Sequence, residues 1–276
     1  MLQRTTQRFK ERGIPSARLD AELLLAHVLH LDRVALYLNF DRPLTEDELA
    51  ALRPLVRRRS AREPMAWILG SRDFWKIALR TPPGVLIPRG DTEILVEAAL
   101  ALLPEDEERF VADIGSGTGA VGLSLAWARP KLKLYATDLS PEALAATKEN
   151  AAALGVADRV AVLRGSFLDP IPPHRPIDLV VSNPPYIPTA TIDGLAPEIR
   201  DHEPRLALDG GPDGLDLYRK LVPAAARRAR QAVLVEVGDG QAEAVAALFR
   251  AAGLQQVRTH NDLSGTERVV EGRVSL

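Results

Sequence analysis

The hydrophobic positions of the chain change period near residue 72. From residue 16 to about 70 they recur at helical spacing, and Leu19, Leu23, Leu24, Ala26, Val28 and Leu31 fall on one broad stripe. Thr45 and Glu48 bracket the start of another helix as a capping box, whose inward face carries Leu49, Leu52, Leu55 and Val56. A third short segment, Met65 to Leu69, is closed by Gly70. The pattern predicts a helical bundle over residues 1–72. Between residues 73 and 88 the period shortens: Phe74 to Leu79 alternate like a strand, Thr81-Pro82-Pro83-Gly84 turn, and Val85-Leu86-Ile87 supply a second arm. A linking β-hairpin is expected there.

From residue 89 onward strands and helices alternate. Apolar runs at residues 110–114, 132–137, 160–163, 177–181 and 232–237 read as strands. Helical stretches intervene at residues 94–102, 120–128, 215–229 and 241–252, with another opened by Ser140-Pro141-Glu142 as cap, first-turn proline and acid. Closing strands are expected near residues 254–260 and 268–274. Such alternation means a mainly parallel α/β sheet with helices on both faces, the Rossmann-like arrangement. The irregular stretch 187–214 is long for a connection inside a compact domain, which marks it as functional or mobile. The chain has no internal repeat.

Composition narrows the chemistry. There are no cysteines among the 276 residues, so disulfides, thiolate metal sites and cysteine nucleophiles are excluded, and a cytoplasmic protein is expected. No apolar stretch approaches a membrane span, and the N-terminus lacks the apolar core of a signal peptide. His27 and His30 have no acidic or cysteine partner at metal-ligand spacing, so no metal is expected. Net charge is −2, but residues 1–72 hold 13 Lys+Arg against 9 Asp+Glu, a net of +4 that leaves −6 for the rest. A mildly basic front end suits an acidic or RNA-bearing partner, and equally a solvated helix face.

Candidate chemistry gathers at predicted strand ends. After the strand ending at Asp113-Ile114 comes Gly115-Ser116-Gly117-Thr118-Gly119, a loop that lets backbone approach a ligand closely. Asp138 lies some 20 residues beyond, where an acid grips both hydroxyls of a ribose. The third glycine sits one residue too early for a dinucleotide fingerprint, and no P-loop Lys-Ser/Thr is present. A nucleoside without pyrophosphate fits better. S-adenosylmethionine is one, with Asp113 able to meet its ammonium, Phe167 to cover its adenine, and Asp169 or a backbone group to read the adenine amino edge. Pro88-Arg89-Gly90-Asp91-Thr92-Glu93 reads as a rigid loop whose Asp91 or Thr92 caps the next helix, or as the rim of a site.

The stretch Ser182-Asn183-Pro184-Pro185-Tyr186 decides between ligands. Two prolines remove two backbone donors and fix two φ angles, leaving a rigid turn of acceptors: the Asn183 side-chain oxygen and bare carbonyls. Such a turn holds a planar NH2 group by both protons. Asn-Pro-Pro also serves merely to end strands, so the flanking residues carry the distinction.

Those flanks resemble the PrmC/HemK family of glutamine N5-methyltransferases acting on peptide chain release factors. The resemblance spans almost the whole chain: Leu19-Asp20-Ala21-Glu22-Leu23-Leu24-Leu25, Ile87-Pro88-Arg89 with Asp91-Thr92-Glu93, Asp113 to Gly119, Ser182 to Ile187, Glu203-Pro204, Gly210 to Leu215, and Asp262 to Arg268. Gly90 departs from it, standing where the family usually has proline. The resemblance implies a class I S-adenosylmethionine-dependent methyltransferase fold over residues 89–276, behind a helical domain that recognises the release factor. It implies that Asp113, Gly115, Ser116, Gly117, Thr118, Gly119, Asp138, Phe167 and Asn183 bind S-adenosylmethionine. Asn183, Pro184, Pro185 and Tyr186 would bind the glutamine of a Gly-Gly-Gln loop, with Asn183, Pro184 and Tyr186 catalytic. A monomer without nucleic-acid or membrane requirement is expected. The alternative is a nucleic-acid adenine N6-methyltransferase, which shares the Asn-Pro-Pro-Tyr turn but would show a basic strand-binding face.

Overall fold

The computed structural model describes residues 1–39 and 41–275. It divides into two compact units: residues 1–71 with 196–202, and residues 72–195 with 203–276.

The first unit is helical, with α1 (Leu2–Glu11), α2 (Ala17–Leu29), α3 (Arg33–Leu38), α4 (Glu46–Ser60) and α5 (Met65–Leu69). Phe9, Ile14, Leu24, Leu25, Leu36, Leu52 and Ile68 form its core. The capping box of α4 is present, with Glu48 N donating to Thr45 Oγ1 at 3.2 Å and Thr45 N to Glu48 Oε2 at 2.8 Å. The stripe expected on α2 is rotated: Leu19 is 41% exposed, while Asp20 and Glu22 are buried. Ion pairs account for it. Asp20 meets Arg59 at 2.7 Å, and Glu22 takes Arg18, Arg33 and the Tyr37 hydroxyl. Pairing makes these acids cheaper to bury than an isolated charge, so the apolar period alone misplaced the face.

In the second unit the hairpin forms with a different turn. Its strands are β1 (Ser71–Phe74) and β2 (Ile77–Arg80), joined at Trp75, whose φ is 52°. Residues 85–87 form no strand. Next come a 3₁₀ turn at Gly90–Thr92, α6 (Glu93–Leu100), β3 (Arg109–Ile114), α7 (Ala120–Ala128), β4 (Leu132–Asp138), α8 (Pro141–Ala153), β5 (Val160–Arg164) and β6 (Leu179–Ser182). Residues 187–214 hold two 3₁₀ turns and the short α9 (Pro197–Arg200), the latter within the helical unit. Then α10 (Asp216–Arg228), β7 (Ala232–Glu236), α11 (Ala242–Ala251), β8 (Gln255–Asn261) and β9 (Glu267–Arg273) complete the chain.

Seven strands form one sheet in the order β5-β4-β3-β6-β7-β9-β8. The first five are parallel; β9 runs antiparallel to β7, and β8 to β9. Alternate residues serve opposite faces: Val111, Leu134 and Val181 pack in one core with Leu95 and Leu123, while Ala112, Tyr135 and Val180 pack in the other with Tyr218 and Phe249. In register, Ile114 lies beside Thr137 on one side and Ser182 on the other. The strand order reverses between β3 and β6, and sheets of this kind open a crevice at the carboxyl ends beside that reversal. Among the described residues no helix is long and apolar enough to cross a membrane.

Candidate active site

A cavity of about 550 Å³ opens at those carboxyl ends. Gly115 and Gly117 line it after β3, Asp138, Leu139 and Ser140 after β4, Phe167 after β5, and Asn183, Pro184 and Pro185 after β6. A smaller recess of about 40 Å³ is lined by Arg89, Thr92, Asp113, Ser116 and Thr118, and it shares Gly115, Gly117 and Asn183 with the larger one.

The glycine loop is shaped by its own hydrogen bonds. Gly115 N and Ser116 N both donate to the Thr137 carbonyl, and Gly117 N donates to Asp138 Oδ2 at 2.9 Å. Gly115 and Gly117 have φ of 72° and 57°, and a Cβ on either would meet no atom within 4 Å. The space over them is open for a ligand. Gly119, at φ 84°, opens α7 and lines neither cavity. Asp138 also accepts Ser140 N on Oδ1, so two backbone donors hold its carboxylate at the cavity wall.

Asp113 is buried and accepts Gly122 N at 2.9 Å. Burial pushes its carboxyl up to about 7, the Gly122 N–H pulls it back, and the charge of Asp138 adds to the rise. A Cβ at Gly122 would come within 2.8 Å of Asp113 Oδ2, a requirement the glycine-loop pattern did not flag. Phe167 holds φ at 47°, and its carbonyl accepts the Thr137 hydroxyl at 2.8 Å. Asp169 is exposed and lines neither cavity.

The loop before α6 differs from expectation. Neither Asp91 nor Thr92 caps the helix through its side chain. Arg89 pairs with the buried Glu203 at 2.6 Å, Asp91 with Arg268 at 3.2 Å, and Glu93 accepts Trp75 N at 2.9 Å. Thr92 Oγ1 instead accepts the Asn183 side-chain NH2 at 3.0 Å. That contact leaves Asn183 Oδ1 free to accept from a ligand.

The Asn-Pro-Pro-Tyr turn is clamped from behind. Gln241 donates through Nε2 to the Tyr186 carbonyl at 2.9 Å while accepting Gly238 N at 3.0 Å. A Cβ at Gly210 would lie 2.8 Å from the Pro185 carbonyl oxygen, and one at Gly214 still closer to that of Tyr186. The run Gly210-Gly211-Pro212-Asp213-Gly214 thus serves close backbone approach. Tyr186 lines neither cavity, and its hydroxyl donates to Glu236 Oε1 at 3.3 Å; burial and that carboxyl push its phenol well up. Sequence reasoning missed Gln241 and Glu236. A lone glutamate at the end of the apolar run Ala232–Glu236 was the available signal. Among the described residues no group of three or more His, Cys, Asp or Glu is placed to hold a metal.

A parallel sheet ending in a glycine loop, an acid after the second strand and an acceptor turn at the reversal define a class I methyltransferase fold. Two family profiles match: "PrmC N-terminal domain" over residues 1–70 and "Methyltransferase small domain" over residues 79–199. The release factor glutamine methyltransferase of Geobacter sulfurreducens is 47% identical over 96% of this chain and 92% of its own length. That of Caulobacter vibrioides is 45% identical over 96% and 92%. The N-terminal domain of human METTL16 in complex with SAH, at 13% identity and TM-score 0.51 over 72% of this chain and 76% of that one, shares the fold. The chain belongs to the release factor glutamine methyltransferase family.

Proposed function

We propose that this protein transfers a methyl group from S-adenosylmethionine to the side-chain amide nitrogen of the glutamine in the Gly-Gly-Gln motif of release factors. The observation that carries the reading is the fixed orientation of Asn183. With its NH2 held by Thr92, its oxygen is an acceptor for a substrate NH2 beside the larger cavity.

The cavity suits the donor. Its volume is that of a small-molecule pocket, and the open space above Gly115 and Gly117 is where a side chain would otherwise intrude. Asp138 is the residue to hold the ribose hydroxyls, Phe167 to cover the adenine, Asp113 to meet the ammonium, and Gly115, Ser116, Gly117, Thr118 and Gly119 to shape the loop around the rest. The donor supplies an electrophilic methyl carried on a sulfonium.

An amide nitrogen is a poor nucleophile, because its lone pair is shared with the carbonyl. Asn183 Oδ1 and the Pro184 carbonyl accept its two hydrogens, orient it, and stabilise the positive charge that develops on nitrogen as the bond to carbon forms and the bond to sulfur breaks. The nitrogen then sheds one proton. A strong base is not required, and Tyr186, with its phenol pushed well up, is unsuited to be one. Tyr186 is the residue to pack against the flat amide and exclude water.

Residues 1–72 are read as the release factor recognition domain, residues 73–88 as a linker and residues 89–276 as the catalytic domain, acting as a monomer in the cytoplasm. The adenine alternative is not favoured, because relatives alike over nearly their whole length are named for release factors. Methyl transfer from labelled S-adenosylmethionine to a purified release factor tests the reading, beside its Gly-Gly-Ala variant and with DNA and RNA as parallel acceptors. Label on the wild-type factor alone is expected. Label on nucleic acid and none on the factor would overturn it.

A further inference from the structure

The glycine loop and a second stretch of cavity wall are both held by one helix that has no part in the mechanism. Ala143, Ala146, Thr147 and Asn150 stand at i, i+3, i+4 and i+7 on α8, one face of the helix, and all four are buried. Thr147 donates its hydroxyl hydrogen to the Gly117 carbonyl at 3.0 Å and lies 3.2 Å from the Ser116 hydroxyl. Asn150 donates through Nδ2 to the Thr118 carbonyl at 2.9 Å. The same amide brackets the end of β2: Nδ2 donates to the Arg80 carbonyl at 3.0 Å, and Oδ1 accepts Arg80 N at 2.8 Å. A few residues on, Gly84, Val85 and Leu86 line the larger cavity, and Val85 clusters with Ala143 and Ala146.

Counting hydrogens fixes the direction of these bonds. A threonine hydroxyl has one, and Thr147 gives it to Gly117, so the Ser116 hydroxyl donates to Thr147. The Asn150 amide has two, and both go to carbonyls while its oxygen takes a third bond. Ser116, Gly117 and Thr118 are thus each tied to α8, although neither Thr147 nor Asn150 lines a cavity. The other side of the loop is held from β4, where Thr137 and Asp138 take the N–H groups of Gly115, Ser116 and Gly117. Without α8 the carbonyls of Gly117 and Thr118 would lose these partners, and glycine at 117 gives the backbone freedom to turn. A loop spread over several conformers binds a ligand only in proportion to the share that fits it.

We propose that Thr147 and Asn150 are positioning residues for the methyl donor. They do not touch it, but hold the glycine loop in the conformation that receives it and fix that loop relative to the wall at residues 84–86. The assignment rests on the reading of the larger cavity as the donor site and deepens it. Packing alone would be served as well by apolar side chains at these two places, since a buried polar group is costly unless it is bonded.

The test measures S-adenosylmethionine binding by calorimetry and steady-state turnover with a release factor, both on the full chain. Thr147→Val keeps the shape and removes the hydroxyl, Thr147→Ser keeps the hydroxyl, and Asn150→Ala removes the amide. Thr147→Val and Asn150→Ala should each raise the donor Kd by about 5-fold to 50-fold, the scale of a loop that has lost one or two hydrogen bonds and must be reordered on binding. At saturating donor, kcat and the KM for the release factor should stay within about 3-fold of wild type. Thr147→Ser should bind the donor nearly as wild type does. Amide hydrogen exchange at residues 115–119 should quicken in donor-free Thr147→Val and slow again when the donor is bound. Leu132→Ala, at the other end of β4 from Asp138, is the control for stability: it should lower the melting midpoint and leave donor binding alone. A wild-type donor Kd in Thr147→Val would overturn the proposal, as would an equal loss of binding in Leu132→Ala. If Asn150→Ala fails to fold, the two Thr147 variants still decide. Asp138→Ala separates the two readings. Undiminished binding in that variant sinks the donor-site reading, whereas weakened binding there beside a wild-type Kd in Thr147→Val sinks the positioning role alone.

Discussion

Gly214 lies so close to Tyr186 that a Cβ on it would overlap the Tyr186 carbonyl oxygen. The same Cβ would meet Gln241 Nε2 at 2.5 Å, the atom that donates to that carbonyl, and Gly214 has a φ of 77°. Two constraints therefore fall on one residue: a left-handed backbone and a contact with no room for a methyl group. Gly214→Ala should destabilise the protein by roughly 1–3 kcal/mol through strain and displacement. The displacement falls on the acceptor turn, while Asp138, the acid proposed to hold the ribose, is on a different strand end. Turnover should therefore fall more than donor affinity does, as steady-state kinetics and calorimetry on the same preparation would show. Unchanged turnover would mean that the turn tolerates the shift.

Asn183 gives a sharper expectation. Asn183→Ala removes the acceptor proposed for the developing charge and should lower kcat by roughly 10²–10³. Asn183→Asp retains an oxygen in the same place but should recover little activity. An ionised carboxylate has no NH2 to give Thr92, and it changes the charge beside the sulfonium. Single-turnover labelling of a release factor separates these effects from binding. An Asp variant as fast as wild type would argue that the NH2 contact with Thr92 has no part in the reaction.

What could be read in the chain before its structure followed from where the signals were local. The glycine loop, the acid at Asp138 and the Ser140 cap declare themselves within a few residues, because short-range backbone geometry demands them. The strand order and the hairpin turn at Trp75 do not: Phe74 to Leu79 alternates well enough to pass for one strand, and only pairing with residues 71–74 shows the break. On α2 the pattern misled because Asp20 and Glu22 are buried beside arginines, a pairing over 39 residues in one case. Thr92, Glu236 and Gln241 were invisible as a group, since they join Asn183 and Tyr186 from three separate stretches of chain.

With Asp113 as the proposed partner of the donor's ammonium, its raised carboxyl should make donor binding depend on pH. Its ordinary value is 3.8 and burial carries it to about 7 in the folded protein. An acid raised on folding binds its proton more tightly in the native state. Its contribution therefore leaves stability undiminished below about pH 4 and lowers it progressively as pH rises toward 7. A donor whose ammonium pairs with Asp113 favours the ionised form and so releases a proton on binding below pH 7. Affinity for S-adenosylmethionine should accordingly rise between pH 5.5 and about 7.5. Calorimetry in two buffers of different ionisation enthalpy would count the protons. Asp113→Asn should bind more weakly, with the proton release gone; proton release unchanged in that variant would assign the effect to another group.

The helical unit offers a test of what its buried charges contribute. Arg59 is 4% exposed, yet it sits between Asp20 at 2.7 Å and Glu198 at 2.9 Å, and Glu198 is also held by Arg62 at 2.7 Å. Arg59 donates further to the Glu63 carbonyl at 3.1 Å, which ties the end of α4 to the residues that follow it. Removing Arg59 leaves Asp20 buried without its cation, and breaking one partner out of a buried pair costs about 3–5 kcal/mol. Arg59→Met fills much the same volume but should lower the unfolding free energy by about that amount. Adding Asp20→Asn to it removes the stranded charge and should recover part of the loss. The coupling between the two sites is read from urea unfolding of the single and double variants. Strictly additive losses would show that Arg59 is held by Glu198 and the Glu63 carbonyl alone, with Asp20 contributing nothing to its burial.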